Sequence, residues 1–264
     1  MDGFQAVVLA LIQGITEFLP ISSSAHLVLP SLLLGWPDQG LAFDVAVHVG
    51  TLAAVVIYYR RDLIAMVRDW IRSLSGGAST ENSRLVWYLG LATIPAGLVG
   101  LLAGGVIESH LRTLPVIAST TLIFGILLGV ADRGQRPAMT KLTLPLALAI
   151  GLAQALAPVP GVSRSGVTIT AALFLGLGRQ QAARFSFLLS IPIIASAGSL
   201  KAWELSDSAI PVDWYLLAIG TAVAALSAYL CIAAFIRLVG RVGMMPFVYY
   251  RVVLALLLYY VWLF

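Results

Sequence analysis

Apolar residues in this chain fall into long blocks rather than alternating, and the blocks have two kinds of length. Six blocks approach the ~20 residues that a helix needs to cross a bilayer: 41–59, 85–106, 114–130, 185–203, 214–236 and 247–264. Two other stretches are apolar but interrupted. Segments 4–19 and 24–34 flank a break at Pro20, and segments 142–156 and 169–177 flank the polar island 157–168. Each half is short for a span of its own. Non-helical backbone at membrane depth is tolerated only inside protein or beside a wet cavity, so each pair predicts a re-entrant helical hairpin. Between blocks, 60–84 reads as a polar loop with a flexible 75–79 segment. Residues 108–113 read as a short turn, and 131–141 as a second polar loop.

The order is a hairpin and three spans, twice over. Setting 13–26 against 154–167 at constant offset pairs Gln13 with Gln154, Ser22 with Ser163, Ser24 with Ser165, and Ser23 with Arg164. An odd number of crossings per unit turns the second unit upside down. The expected fold is an all-α polytopic membrane protein with an inverted-topology repeat, six transmembrane helices plus two re-entrant helical hairpins. It forms one integral membrane domain, 1–264, with repeat 1 at 1–131 and repeat 2 at 142–264.

Composition agrees: of 264 residues 60% are hydrophobic and only 11% charged, which excludes an ordinary soluble domain. The net charge of +4 sits in loops, so it reads as a topology signal and not a nucleic-acid footprint. Arg60, Arg61, Arg68, Arg72, Arg84, Arg133, Arg136, Lys141, Arg179, Arg184, Arg237 and Arg241 fall in loops on one side. Arg112 and Lys201 fall on the other, beside Glu108, Glu204, Asp207 and Asp213. The positive-inside rule then places both termini outside. No removable signal peptide is expected from the N-terminal residues. Cys231 reads as a buried structural thiol.

The chemistry sits at the two breaks. Gln13 and Glu17 are four apart, hence on one helix face, and a carboxylate in so apolar a run reads as functional. Ser22, Ser23 and Ser24 follow, with His26 about one helical turn beyond the break as a proton-transfer group. In the second break, Arg164 between Ser163 and Ser165, after Pro160-Gly161 and before Thr168, describes a polyanion clamp with helix N–H groups behind it. Asp44 and His48 read instead as a polar helix start, and Arg251 as an arginine snorkelling to an interface. These residues suit an enzyme acting on a polyanion. They also suit an anion transporter, since broken helices in inverted repeats are a transporter device; an anion channel or a lipid-binding component is a third option. A carboxylate and a histidine beside the anion favour the enzyme.

Gln13-x-x-x-Glu17 fits an (E/Q)xxxE motif, followed by Phe18-Leu19-Pro20-Ile21-Ser22-Ser23-Ser24-Ala25-His26, and residues 160–168 fit PGxSRSxxT. With these motifs in this order the chain resembles, over essentially its whole length, the bacterial undecaprenyl-diphosphate phosphatase family, also known as bacitracin-resistance proteins. The resemblance implies hydrolysis of undecaprenyl diphosphate to the monophosphate and phosphate, which recycles the lipid carrier of cell-wall synthesis and gives bacitracin resistance. It also implies a multi-pass protein of the bacterial inner membrane with its site open to the outer face. A divalent cation, Mg²⁺ or Ca²⁺, is implied as cofactor, with Glu17 as its candidate ligand. Glu17, Ser23, His26 and Arg164 are the expected catalytic residues. Gln13, Ser22, Ser24, Gly161, Ser163, Ser165 and Thr168 are the expected substrate-binding residues. The partners are a polyprenyl diphosphate and membrane lipids, without nucleic acid; a homodimer is compatible with this. Two departures stand out: Gln13 where the family often has glutamate, and Ala25 where glycine is usual. Ser23 has two readings, as the attacking group giving a phosphoserine or as a group that orients water.

Overall fold

The computed structural model describes residues 1–134, 141–206 and 213–264. Arg136 and Asp207, used in the charge count above, lie outside the described residues. Among the described residues the regular structure is helical: α1 (Gly3–Thr16), α2 (Ser23–Leu27), α3 (Leu29–Leu34), α4 (Gly40–Tyr58), α5 (Arg60–Leu74), α6 (Glu81–Val106), a π-helical turn (Ile107–Leu111), α7 (Leu114–Arg133), α8 (Leu144–Gln154), α9 (Arg164–Phe174), α10 (Arg179–Ser206), α11 (Trp214–Val242) and α12 (Met245–Leu263). Six of these, α4, α6, α7, α10, α11 and α12, are long and apolar enough to cross a membrane. The chain is a multi-pass membrane protein. Helices α1, α8 and α9, and the α2–α3 pair, fall short of that length.

Local chemistry sets the helix starts. Asp2 accepts from the Gln5 backbone N–H while the Gln5 side chain accepts from the Asp2 N–H, a capping box that opens α1. Thr80 and Ser83 repeat the device at α6, and Asp213 accepts from the N–H groups of Tyr215 and Leu216 at α11. Pro115 and Pro145 stand in the first turns of α7 and α8, where a missing N–H costs nothing.

One element departs from the sequence expectation. Arg60–Leu74 is not a polar loop but helix α5. Ile64, Val67, Ile71 and Leu74 form an exposed apolar stripe at helical spacing, flanked by Arg61, Arg68 and Arg72, with Met66 and Asp69 buried on the opposite face. Such a helix lies along an interface rather than across it. Its far end is tied down where Asn82 donates to Asp69 Oδ2 at 2.7 Å.

The helices pack in matching pairs. α1 lies on α11 and α8 lies on α6; α4 packs on α11, and α10 on α6. α7 pairs with α12, and α4 with α10. Small residues set the close approaches: a Cβ on Gly151 would meet the Ala92 backbone. The main core gathers Phe18, Val55, Leu128, Ile150, Ile169, Phe187, Leu188 and Ile232, so both interrupted segments contribute to it.

Candidate active site

Both breaks turn on a serine with an unusual backbone. Ser22 has φ 72° and ψ 97°, and Ser163 has φ 71° and ψ 113°. Among the described residues these two are the non-glycine positions at positive φ, a conformation that a side chain makes costly and that surrounding structure must impose. They are also the two serines the sequence alignment paired. The likeness extends to their neighbours. Ser22 Oγ lies 3.1 Å from Ser24 Oγ, and Ser163 Oγ lies 3.2 Å from Ser165 Oγ. After each sharp turn a helix restarts, α2 at Ser23 and α9 at Arg164.

What imposes the turns is a residue the sequence reading assigned elsewhere. Arg251 of α12 does not snorkel; it is fully buried. Its Nη1 donates to Pro20 O of the first break and to Val162 O of the second, both at 3.2 Å. Its Nη2 donates to Gly161 O at 2.8 Å, and its Nε to Thr121 O of α7 at 3.0 Å. Unwound backbone leaves carbonyls without helical partners, and a buried guanidinium with five donors is the group that can satisfy several at once. Thr120 of α7 adds a bond to Pro160 O at 2.6 Å. Gly161 itself, at φ +87°, has no room for a Cβ, which would meet Thr120 and the Ile117 carbonyl.

With the breaks locked together, their side chains converge. Arg164 Nη2 donates to Glu17 Oε1 at 2.9 Å. Glu17 Oε2 accepts from Ser23 Oγ and from Gln13 Nε2, each at 2.9 Å. The pairing is sheltered, since the Arg164 and Glu17 side chains are 11% and 9% exposed. Phe18 supports the guanidinium from beneath, 5.5 Å from ring centre to Cζ. Arg164 Nη1 makes only a long 3.4 Å contact to Ser186 O, and its Nε has no partner. Nε is buried, so Nη1, held only by that long contact, is the donor least committed. Above the guanidinium opens a cavity of about 200 Å³, lined by Glu17, Ser22, Ser23, Ser24, His48, Ser163 and Arg164 with three residues of the second break.

The remaining expected residues stand behind this wall. Gln13 is fully buried and orients Glu17. Ser165 donates to Leu19 O at 2.8 Å, stitching the second break to the first. Thr168 donates to Arg164 O at 2.8 Å and lies 2.7 Å from Ser186 Oγ, so it steadies the arginine's helix. The Gly161 N–H reaches Ser24 Oγ at 3.5 Å. None of Gln13, Gly161, Ser165 or Thr168 lines the cavity. Their hydrogen bonds run instead to the groups that form or back the cavity wall.

The histidine expectation changes most. His26 is buried, with Nδ1 2.7 Å from Ser22 O and Nε2 2.6 Å from the Tyr250 hydroxyl, whose ring stacks on it at 5.5 Å. Both ring nitrogens are occupied and the ring is not on the cavity wall. It holds the strained Ser22 carbonyl in place. The histidine on the cavity is His48, which the sequence offered only as a helix-start residue. Its Nδ1 must carry a proton to bond Asp44 O at 2.7 Å, because a carbonyl only accepts. That leaves Nε2 as the exchangeable nitrogen, 3.9 Å from Glu17 Oε2 and on a side chain 36% exposed. Its position four residues after Asp44 was legible; that α4 would carry it to Glu17 was not.

The chain matches a family model described as bacitracin resistance protein BacA over residues 6–257. It is 59% identical, over 98% of its length and 99% of the relative's, to a protein of Teredinibacter turnerae named undecaprenyl-diphosphatase. It is 58% identical to a protein of the same name from Chromohalobacter salexigens, over 98% of both chains. A third so named, from Alcanivorax borkumensis, is 58% identical over the full length of both. The serine turns, the Glu17–Arg164 pair and the Arg251 web all lie within the matched span, and the chain belongs to the bacitracin resistance protein BacA family.

Proposed function

We propose that the chain hydrolyses undecaprenyl diphosphate to undecaprenyl phosphate and inorganic phosphate. The observation that carries this is the meeting, in one sheltered cavity, of Ser23 hydrogen-bonded to a carboxylate on one break and an arginine with spare donors on the other. That is a nucleophile, its base and an anion clamp. The names of the relatives agree. Purified protein in detergent should release phosphate from a polyprenyl diphosphate and show no counterflow uptake of it in liposomes; uptake without release would replace an enzyme by a carrier.

In the mechanism we favour, Arg164 and the hydroxyls of Ser22, Ser24 and Ser163 bind the non-bridging oxygens of the terminal phosphate. Ser23 Oγ attacks the terminal phosphorus and passes its proton to Glu17 Oε2. The anhydride P–O bond breaks and undecaprenyl phosphate leaves. Water then attacks the phosphoserine, its proton taken by Glu17, and inorganic phosphate departs as Ser23 regains a proton. His48 Nε2, close to Glu17 and open to solvent, is the outlet by which the carboxyl group loses its proton to water between steps.

Among the described residues no group of three or more His, Cys, Asp or Glu side chains could hold a metal ion, and Glu17 is the carboxylate on the cavity wall. A divalent cation, Mg²⁺ or Ca²⁺, would be held by Glu17 with a neighbouring serine hydroxyl and would supply charge neutralisation.

The two broken helix pairs enter the membrane from opposite sides as re-entrant hairpins, in our reading, within an inverted repeat at 1–131 and 142–264. The matched serine turns and the matched pairings of α1 on α11 and α8 on α6 support it. The arginine-rich end carrying α5 then faces the inside of the bacterial inner membrane, with the cavity open to the outer face. In a Cys231→Ser background, Ser79→Cys should react with an impermeant thiol reagent only after the cells are permeabilised. Labelling of intact cells would reverse the orientation.

A further inference from the structure

His48 belongs to two spaces at once. On one side it lines the polar cavity described above. On the other it closes the end of a second cavity, about 220 Å³, between α4 and α10. This second space is apolar. From α4 it is lined by Val45, Val49 and Leu52, and from α10 by Ala195, Gly198 and Ala202. The spacing keeps each set on one helix face. The two helices contribute unequally: α4 supplies branched side chains, whereas α10 adds only Ile194 as a large side chain beside the small Ala195, Gly198, Ser199 and Ala202, so a channel is left between helices that otherwise pack together. A Cβ placed on Gly198 meets nothing within 4 Å. The absent side chain is therefore not required by helix packing; it leaves the groove open.

We infer that this groove between α4 and α10 is the subsite for the first isoprene units of the substrate's polyprenyl tail. The inference rests on the phosphatase reading. A lipid diphosphate joins a polyanion to a branched hydrocarbon at a single atom, so its two subsites must share a wall. The polar cavity and the groove share His48. Val49, nearly half exposed, opens the groove sideways toward the surrounding lipid, which gives the rest of the tail an exit. Bulk phospholipid offers the same hydrocarbon chemistry, but it has no reason to prefer a groove that ends at a diphosphate site. Holding the tail there fixes where the anhydride arrives relative to Ser23 and Arg164, so binding along the groove is converted into orientation at the reacting centre.

Gly198→Leu fills the groove from a position where a Cβ has nothing within 4 Å. Wild type and variant are compared on undecaprenyl diphosphate and on a diphosphate bearing a single prenyl unit, in the same detergent. The wild-type preference for the long substrate, as a ratio of kcat/KM values, should fall about tenfold or more in the variant, with kcat on the long substrate falling as well as KM rising. A ratio unchanged within about twofold overturns the subsite. A second measurement does not depend on the variant's folding. Undecaprenyl diphosphate carrying a photoreactive group on its first isoprene units should label peptides 45–52 and 194–202 of wild type. Unlabelled undecaprenyl diphosphate should compete and phospholipid should not. Label on the outer faces of α11 or α12, or equal competition by phospholipid, assigns the groove to bulk lipid. If wild type releases phosphate from neither substrate, it is the phosphatase reading that fails.

Discussion

Replacing Ser23 by alanine is expected to lower kcat by about 10³-fold or more while leaving substrate binding nearly unchanged. The hydroxyl donates to Glu17 Oε2 at 2.9 Å, so the proton it must lose on attack already points at its acceptor. Alanine removes the attacking atom yet disturbs none of the bonds that hold the breaks together, because Ser23 makes none of them. Those belong to Ser165, Thr120 and Arg251. A mechanism in which water attacks makes a different forecast. There Ser23 contributes one hydrogen bond, about 0.5–1.5 kcal/mol, and its loss costs no more than about tenfold. Ser23→Cys separates the two further, since a thiolate attacks but positions water poorly.

Arg164→Lys keeps the charge and should still lose roughly 2–4 kcal/mol of transition-state stabilisation, about 30-fold to 10³-fold in kcat, the scale of one preorganised anion donor. The lysine ammonium can replace the single Nη2 contact to Glu17. It cannot present a planar fork to two phosphate oxygens, nor lie over Phe18 as the guanidinium does. The ground-state pair therefore survives while the clamp is lost, and the effect should fall on kcat more than on thermal stability. Near-wild-type turnover in the lysine variant would remove Arg164 from the reaction.

How much of this could be read from the chain depended on the range of the signal. The spans were legible because hydrophobic length reports directly on a bilayer, and the six long blocks reappear as α4, α6, α7, α10, α11 and α12. The break residues were legible because prolines, glycines and serines inside apolar runs have few other uses. The pairing of Ser22 with Ser163 reappears as two matching positive-φ turns. Helix α5 was missed because Arg60, Arg61, Arg68 and Arg72 mask an apolar stripe of period 3.6 when the segment is read for charge alone.

The deeper misses are tertiary. Nothing local marks Arg251 as the residue that binds carbonyls of both breaks, since its partners lie in segments 89 to 231 residues away. An arginine near the end of a span looks the same whether it reaches for water or for unpaired backbone. The positions of His26 and His48 were hidden for a related reason. Proximity in sequence to Glu17 favoured His26, but the helix restarting at Ser23 turns that ring toward Tyr250. His48 reaches Glu17 only because α4 packs beside α1. Gln13, Ser165 and Thr168 belong to the motifs, yet a motif cannot show which of its residues line the cavity and which stand behind its wall.

The central claim is that the two breaks meet to make a nucleophile, base and clamp for a lipid diphosphate. Its most direct test is rapid quenching of the wild-type protein with undecaprenyl diphosphate labelled in the terminal phosphate. Label should appear on the peptide containing Ser23 before phosphate is released, and should be absent from Ser23→Ala. An alanine variant that keeps about a tenth of the activity, the cost of a single hydrogen bond, beside a wild type that never carries label would contradict the covalent route. Water activated by Glu17 would then be the attacking group.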